Sequence, residues 1–258
     1  MANNNHLIDK YIDALLVEAA LRKNELNSET ITTVYLGGGT PSLLSITQLS
    51  KLVNGLKKVF DFSDLEEFTI EVNPDDVTPE CIQQSKSLGI NRVSMGVQSF
   101  SDEDLRFINR RHTAKQATDA IHIIKEAGID NISIDLIYGI PGQNFEIWKN
   151  NVDTAILLSV QHISAYTLMY EEGTRLSVMR SLGKITEVDD DVVTSQMIRY
   201  GLSYLYRLIL RRQVTGRSLM RWFLTIMICR LHRLCLSIWT YLSIISSITL
   251  DLTDCRSQ

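Results

Sequence analysis

The sequence has 258 residues, of which 45% are hydrophobic and 22% are charged, a composition typical of a globular protein. It excludes a disordered chain and a collagen-like repeat, and four unevenly spaced cysteines exclude a small disulfide-stabilised scaffold. The formal net charge of −4 argues against a general nucleic-acid binder. Residues 1–30 show no basic segment followed by an apolar one, so we expect no targeting signal and a reducing, cytoplasmic setting.

The charge of the chain changes near residue 200. Residues 1–199 contain 18 Lys and Arg against 28 Asp and Glu, a net charge of −10, and all four prolines. Residues 200–258 contain eight Arg and no Lys against two Asp, a net charge of +6, and include a 17-residue uncharged run at 234–250. We therefore predict a folded core at 1–199 and a separate tail at 200–258.

In chain order, the core begins with apolar residues at helical spacing, which predict an amphipathic helix between Leu7 and Ala19. Strands alternating with helices follow. The predicted strands lie at 32–36, 68–72, 92–97, 132–138 and 162–168, and the predicted helices between them at 49–59, 81–88, 105–125 and 145–158. This alternation is typical of parallel pairing, so the expected fold class is α/β, either a doubly wound sheet or a β/α barrel.

Polar and apolar residues alternate within four of the predicted strands. Glu71 and Asp135 are the two carboxylates on the polar side of this pattern. A parallel strand covered on both faces is usually continuous in Val, Ile and Leu, and a buried unpaired polar group costs about 1–3 kcal/mol. The pattern therefore predicts a barrel with a polar, ligand-filled interior. The alternative is an antiparallel sheet whose polar face lies in water.

Candidate binding residues follow the predicted strands. The segment GGGTP at 37–41 connects a strand to a helix, where backbone groups can approach a ligand closely; a tight turn is the alternative. It has neither the lysine of a phosphate-binding loop nor the last glycine of a dinucleotide fingerprint. Glu71, Gln98 and Asp135 lie toward carboxyl ends of strands, the ligand side of β/α folds. Arg110 and Arg111 follow in a connection, with a solvated surface pair as the alternative.

Five motifs together resemble those of the radical S-adenosylmethionine proteins. They are VYLGGGTPS at 34–42, EVNP at 71–74, MGVQSF at 95–100, DLIYGIPGQ at 135–143 and EEGT at 171–174. In order and spacing they are most similar to the oxygen-independent coproporphyrinogen III oxidase group, and within it to the haem chaperone (HemW) branch. The resemblance extends from about residue 11 to residue 197. The resemblance implies a partial, parallel, TIM-like β/α barrel without its first strand.

The resemblance also implies a set of residues that bind S-adenosylmethionine. The matching positions are Gly38, Gly39, Thr40, Glu71, Gln98, Arg110 and Asp135. The first three match the loop that holds the methionyl amino end of the cofactor, and the other four match positions that contact the same molecule. The further partners that the family implies are haem or a porphyrinogen and haem-accepting respiratory proteins. Neither nucleic acid nor a membrane is expected as a partner.

The family holds a [4Fe–4S] cluster with a CxxxCxxC motif, on the loop after the first barrel strand. Here no cysteine precedes Cys81, which falls in a predicted helix and is expected to pack as a small apolar residue. Cluster binding requires thiolates that leave one iron open for the cofactor. We therefore assign no metal ligand and expect the chain as written not to generate radicals. Without the preceding strand, the strand at 32–36 is expected to form a sheet edge.

Three functions remain open at this point. The chain is expected to be a haem chaperone that binds S-adenosylmethionine and haem; the alternatives are the porphyrinogen oxidase itself, an enzyme of porphyrin biosynthesis, and a non-catalytic ligand-binding remnant of an interrupted gene. The tail matches no family motif, and its change in composition favours a shifted reading frame. A divergent domain and a membrane segment at 234–250 are the alternatives for the tail.

Overall fold

The computed structural model describes residues 2–26, 29–193 and 224–227. The helices are α1 (Ala2–Arg22), α2 (Ile46–Val59), α3 (Pro79–Ser87), α4 (Asp102–Phe107), α5 (Ala114–Glu126), α6 (Phe145–Leu157), α7 (Arg175–Ser181) and α8 (Asp190–Val192). The strands are β1 (Thr33–Leu36), β2 (Glu67–Val72), β3 (Arg92–Gln98), β4 (Asn131–Tyr138), β5 (His162–Thr167) and β6 (Leu224–Met227). Short 3-10 helices lie at Lys23–Leu26, Pro41–Leu43 and Pro74–Asp76.

The strands form one sheet in the order β1-β2-β3-β4-β5-β6. The four pairings from β1 to β5 are all parallel, with Tyr35 opposite Thr69 and Asp135 opposite Ser164. The predicted α/β class is confirmed, and each of the five predicted strands is found to within one residue at either end. The antiparallel alternative is wrong, because helices connect these strands and return the chain to the same edge of the sheet.

The core of the protein lies on the apolar side of the strands, against the helices. Phe68, Val93 and Ile132 are completely buried there. The opposite side of the same strands is also buried, although it carries polar residues such as Thr69 and Ser133. The predicted alternation is thus confirmed, and the polar groups lie in the interior of the fold, where each needs a partner.

The helix predicted at 105–125 is in fact two helices. Helix α4 ends at Phe107, and α5 begins at Ala114 after a connection in which Asn109 has a φ of +58°. Thr113 caps α5 and exchanges hydrogen bonds with Gln116, a capping box that fixes the start of the helix. The prediction was wrong because it followed apolar periodicity and did not use this local capping signal. The break places Arg110 in a connection, as expected for it from its position after β3.

Helix α1 forms as predicted and packs against α2. Ile12 is buried in this contact, while Leu7 and Leu21 remain exposed. In the described part of the chain, no helix combines the length and hydropathy needed to span a bilayer. The uncharged run at 234–250, for which a membrane segment was one of the alternatives, lies outside the described residues.

The chain divides into two compact units, Met1–Ile226 and Met227–Gln258. Residues 194–223 and 228–258 lie outside the described residues. The boundary predicted at residue 200 and the shifted reading frame inferred for the tail therefore stay predictions.

Candidate functional site

A cavity of about 260 Å³ lies toward the carboxyl ends of β2, β3 and β4. Six of the seven predicted binding residues line it, and the lining is completed by Pro41, Val72, Asn73, Ser94 and Gly96. The seventh predicted residue, Gly38, donates its backbone N–H to the Glu71 carboxylate at 2.9 Å. The structure thus brings all seven together around one space.

The glycine loop after β1 is held by Glu71. One carboxylate oxygen of Glu71 accepts a hydrogen bond from the Tyr35 hydroxyl at 2.7 Å, and the other accepts from the Gly38 amide. Gly38 and Gly39 have φ values of +81° and +62°, which glycine adopts readily. Burial and the Glu71 hydrogen bond raise the pKa of Tyr35 to about 12, so its hydroxyl remains a donor at ordinary pH. Glu71 therefore fixes the loop at the rim of the cavity.

Gln98 enters the cavity through an unusual backbone conformation. It ends β3 where the register with β4 shifts, and its φ is +68°, which a non-glycine residue rarely adopts. Its side chain is buried against Gly96, where a Cβ would lie only 2.9 Å from the Gln98 amide nitrogen. Gly96 therefore provides the space that the Gln98 side chain occupies.

The two neighbouring arginines have different surroundings. Arg110 lines the cavity, and burial lowers the pKa of its guanidinium, while the charges of Asp135 and Asp75 oppose that shift. The Arg111 side chain is 67% exposed and forms an ion pair with Asp75 at 2.8 Å. The alternative of a solvated surface pair is thus correct for Arg111 and wrong for Arg110. The positions of the two residues in the sequence did not predict this difference.

Asp135 is the carboxylate on the inner side of the cavity. Burial raises the pKa of its carboxyl to about 6, and the negative charge of Glu71 acts in the same direction. A hydrogen bond with Ser164 and the charges of Arg110 and Arg92 partly oppose this rise. Asp135 is therefore ionised at neutral pH and becomes protonated in mildly acidic solution.

This raised pKa makes stability depend on pH. A folded-state pKa of about 6 against an ordinary 3.8 means that the folded protein binds the proton more tightly. The resulting stabilisation is complete below about pH 4 and is lost as the pH rises through about 6. We expect Asp135→Asn to raise the free energy of unfolding at pH 8 by up to about 3 kcal/mol and to change it little at pH 4.

Urea unfolding at pH 4 and pH 8 measures this difference between the Asp135→Asn variant and the unmodified chain. Asp130→Asn, an exposed change just before β4, is the matched control and is expected to show no such gain. An equal effect of Asp135→Asn at both pH values would contradict the assigned titration.

Sequence reasoning missed Tyr35 as part of the site. Its position on the edge strand, two residues before the first glycine, gave no sign that its hydroxyl would reach Glu71. Asn73, Ser94 and Gly96, which also line the cavity, were given no role from the sequence. A signal was available for these three, since residues two apart on a strand share the face of Glu71 and Gln98.

The described residues do not fit an iron–sulfur cluster. Among them, no group of three His, Cys, Asp or Glu side chains is placed to hold a metal ion. Cys81 is half-buried in α3, and burial raises the pKa of its thiol, which disfavours the thiolate that iron requires. The four cysteines of the sequence nowhere form a CxxxCxxC motif. The cavity, in contrast, has the polar groups and the access that a small organic ligand requires.

Comparison with known proteins identifies the family. The family model of the Radical SAM superfamily matches residues 5–155, which include β1 to β4 and all of the cavity lining. The chain therefore belongs to the radical S-adenosylmethionine superfamily. The resemblance inferred from the five motifs is confirmed.

Curated relatives in bacteria make the likeness more specific. The haem chaperone HemW of Lactococcus lactis is 41% identical over 167 residues, which are 65% of this chain and 43% of that protein. The haem chaperone HemW of Bacillus subtilis is 36% identical over 179 residues, 69% of this chain and 47% of that protein. The chain thus spans a little under half the length of these relatives.

A solved structure supports the fold. The coproporphyrinogen III oxidase HemN of Escherichia coli, a radical SAM enzyme, is 26% identical and superposes with a TM-score of 0.68. The match covers 79% of this chain and 46% of the oxidase. The predicted fold class, a partial β/α barrel of the radical S-adenosylmethionine type, is confirmed.

Proposed function

We propose that the cavity binds S-adenosylmethionine, in a protein of the haem chaperone type. The observation that carries the first part is the charge pattern of the lining, in which two carboxylates face one guanidinium. S-adenosylmethionine has the complementary pattern, with a positive ammonium, a positive sulfonium and one negative carboxylate. When bound, the cofactor supplies an activated carbon–sulfur bond.

Each side of the cavity receives a different part of this ligand in the proposal. Arg110 binds the ligand carboxylate, because a guanidinium presents paired donors to a carboxylate. Gly39 and Thr40 receive the amino end through the exposed backbone of the glycine loop, and Gln98 adds an amide. Asp135 offsets the sulfonium charge, while Glu71 contributes its charge and holds the loop through Gly38.

The cavity volume of about 260 Å³ lies just below the range of about 300–1,000 Å³ for small-molecule sites. The space therefore suits the methionyl end of the cofactor better than the whole molecule. We place the adenosine part beyond the rim of the cavity, past the glycine loop.

The haem chaperone assignment rests on the relatives. Sequence identity of 41% and 36% to proteins called haem chaperones exceeds the 26% identity to the oxidase. The oxidase remains the second candidate because of its structural likeness. Haem, haem-accepting respiratory proteins and a cytoplasmic location complete the proposal, and the sparse cysteines fit a reducing compartment. No described residue is assigned to haem, and cluster binding is not proposed for these residues.

Calorimetric titration with S-adenosylmethionine and with S-adenosylhomocysteine tests the proposed site. The second compound lacks the methyl group and therefore the sulfonium charge, while the rest of the molecule is the same. We expect S-adenosylmethionine to bind more tightly by roughly tenfold at pH 7.5, because one charge interaction in a partly buried site contributes about 1–2 kcal/mol. Equal affinities, or no heat with either compound, would overturn the proposal.

A further inference from the structure

Gln98 reaches the cavity only because its backbone is left-handed. A non-glycine residue with a φ of +68° is strained, and such a conformation persists only where the surrounding structure imposes it. The register with β4 shifts between Met95 and Gln98, and Gln98 lies opposite Leu136. The Ser99 amide donates a hydrogen bond to the Val97 carbonyl at 2.9 Å and closes a tight turn around Gln98, so the position of the residues that follow Gln98 helps to fix its backbone.

The two residues after Gln98 are held by a side chain of α6. The Asn151 carbonyl oxygen accepts a hydrogen bond from the Phe100 amide at 2.7 Å, and its amide nitrogen donates to the Ser99 hydroxyl at 3.0 Å. Asn151 and Ser99 are both completely buried. A buried amide with both ends paired has a fixed orientation, and it fixes the chain that it binds.

A second buried side chain, from α4, connects this turn to the end of β4. One carboxylate oxygen of Asp104 accepts from the Ser99 hydroxyl at 2.8 Å and from the Gln143 amide at 2.7 Å. Gln143 in turn accepts from the Gly139 amide at 3.1 Å. The connections after β3 and β4 are thus joined through a single oxygen atom in the interior.

We propose that Asn151 and Asp104 are positioning residues that hold Gln98 left-handed and thereby aim its side chain into the cavity. Neither residue lines the cavity, so both act through the turn at Ser99 and Phe100. The consequence for ligand affinity rests on the proposed binding of S-adenosylmethionine. The consequence for the backbone of Gln98 does not.

The first measurement follows Gln98 directly. In protein labelled with 13C and 15N glutamine, the Cα and Cβ shifts of Gln98 report its backbone conformation, and loss of the signal in Gln98→Ala assigns it. We expect Asn151→Leu to move these shifts from left-handed toward extended values. Ser99→Ala removes only one hydroxyl, and it serves as the milder variant should Asn151→Leu not fold. Asn150→Leu is the same change at the exposed neighbouring position on α6. We expect it to leave the Cα and Cβ shifts of Gln98 unchanged.

The second measurement is a double-mutant cycle on the affinity for S-adenosylmethionine. We expect Asn151→Leu or Ser99→Ala to weaken binding by roughly tenfold, the effect of losing about one hydrogen bond. In the Gln98→Ala background we expect the same changes to weaken binding no further, because they affect the ligand only through the position of the Gln98 side chain. A general loss of structure would instead weaken binding in both backgrounds.

Asp104 provides a rescue test. Asp104→Asn keeps a carbonyl oxygen that can accept from Ser99 and Gln143, whereas Asp104→Leu keeps none. We therefore expect the Gln98 shifts to stay near native values in Asp104→Asn and to move in Asp104→Leu. Unchanged Gln98 shifts in Asn151→Leu, Ser99→Ala and Asp104→Leu would overturn the inference. If the unmodified chain binds no S-adenosylmethionine, the proposed function fails, while these shifts still decide the role of the buried residues.

Discussion

Glu71→Ala is expected to weaken the binding of S-adenosylmethionine by about 100-fold. The change removes one of the two negative charges that face the ligand and both hydrogen bonds that hold the glycine loop. Hydrogen bonds to a charged group contribute about 1.5–3 kcal/mol each, and 100-fold in affinity corresponds to about 2.7 kcal/mol. Calorimetric titration at pH 7.5 measures the loss.

Glu71→Gln separates the two roles of this residue. Glutamine keeps an acceptor for the Gly38 amide and an amide group beside the Tyr35 hydroxyl, but it has no charge. We expect its affinity to lie between those of the unmodified chain and Glu71→Ala. Glu66→Ala, an exposed change just before β2, is the control and is expected to bind normally. Normal binding by Glu71→Ala would show that the carboxylate does not serve the site.

Gly37→Ala is expected to reduce the binding of S-adenosylmethionine by at least about tenfold, although Gly37 itself does not line the cavity. A Cβ at this position would overlap a ring carbon of Tyr35 and would lie 2.9 Å from the Glu71 carboxyl carbon. Both side chains would have to move, which breaks the 2.7 Å hydrogen bond between them. We expect a loss of at least about tenfold, because the carboxylate that anchors the loop is displaced.

Gly183→Ala provides the matched glycine control. Gly183 lies after α7 with a φ of +67°, and a Cβ there meets nothing within 4 Å. We expect it to lower the free energy of unfolding by about 1 kcal/mol through backbone strain and to leave ligand affinity unchanged. If Gly37→Ala bound normally, the close contact of Gly37 with Tyr35 and Glu71 would not matter for the site.

The strands were predictable from sequence because their signal is local. Alternation in β2, β3 and β4 identified the strands and also the side on which Glu71 and Asp135 lie, since side-chain direction follows from position along a strand. The glycines after β1 marked where backbone comes close to the cavity. Parallel pairing followed from the helical connections, and it brought the carboxyl ends of these strands together.

Other parts of the site depend on contacts that no local pattern carries. Gln98 was placed at a strand end, but its left-handed backbone depends on Asn151, which lies more than 50 residues further along the chain. Tyr35 joins the site through a hydrogen bond to a residue on the neighbouring strand. The different surroundings of Arg110 and Arg111 depend on the break between α4 and α5. These features arise from tertiary packing, which single-residue periodicity does not describe.

A crystal structure of the chain with S-adenosylmethionine tests the central claim most directly. We predict density for the methionyl end of the cofactor in the cavity, with its carboxylate at Arg110, its amino group at the glycine loop and its sulfonium on the side of Asp135. Density bound elsewhere on the protein, or a ligand whose carboxylate points toward Asp135 instead of Arg110, would contradict this account.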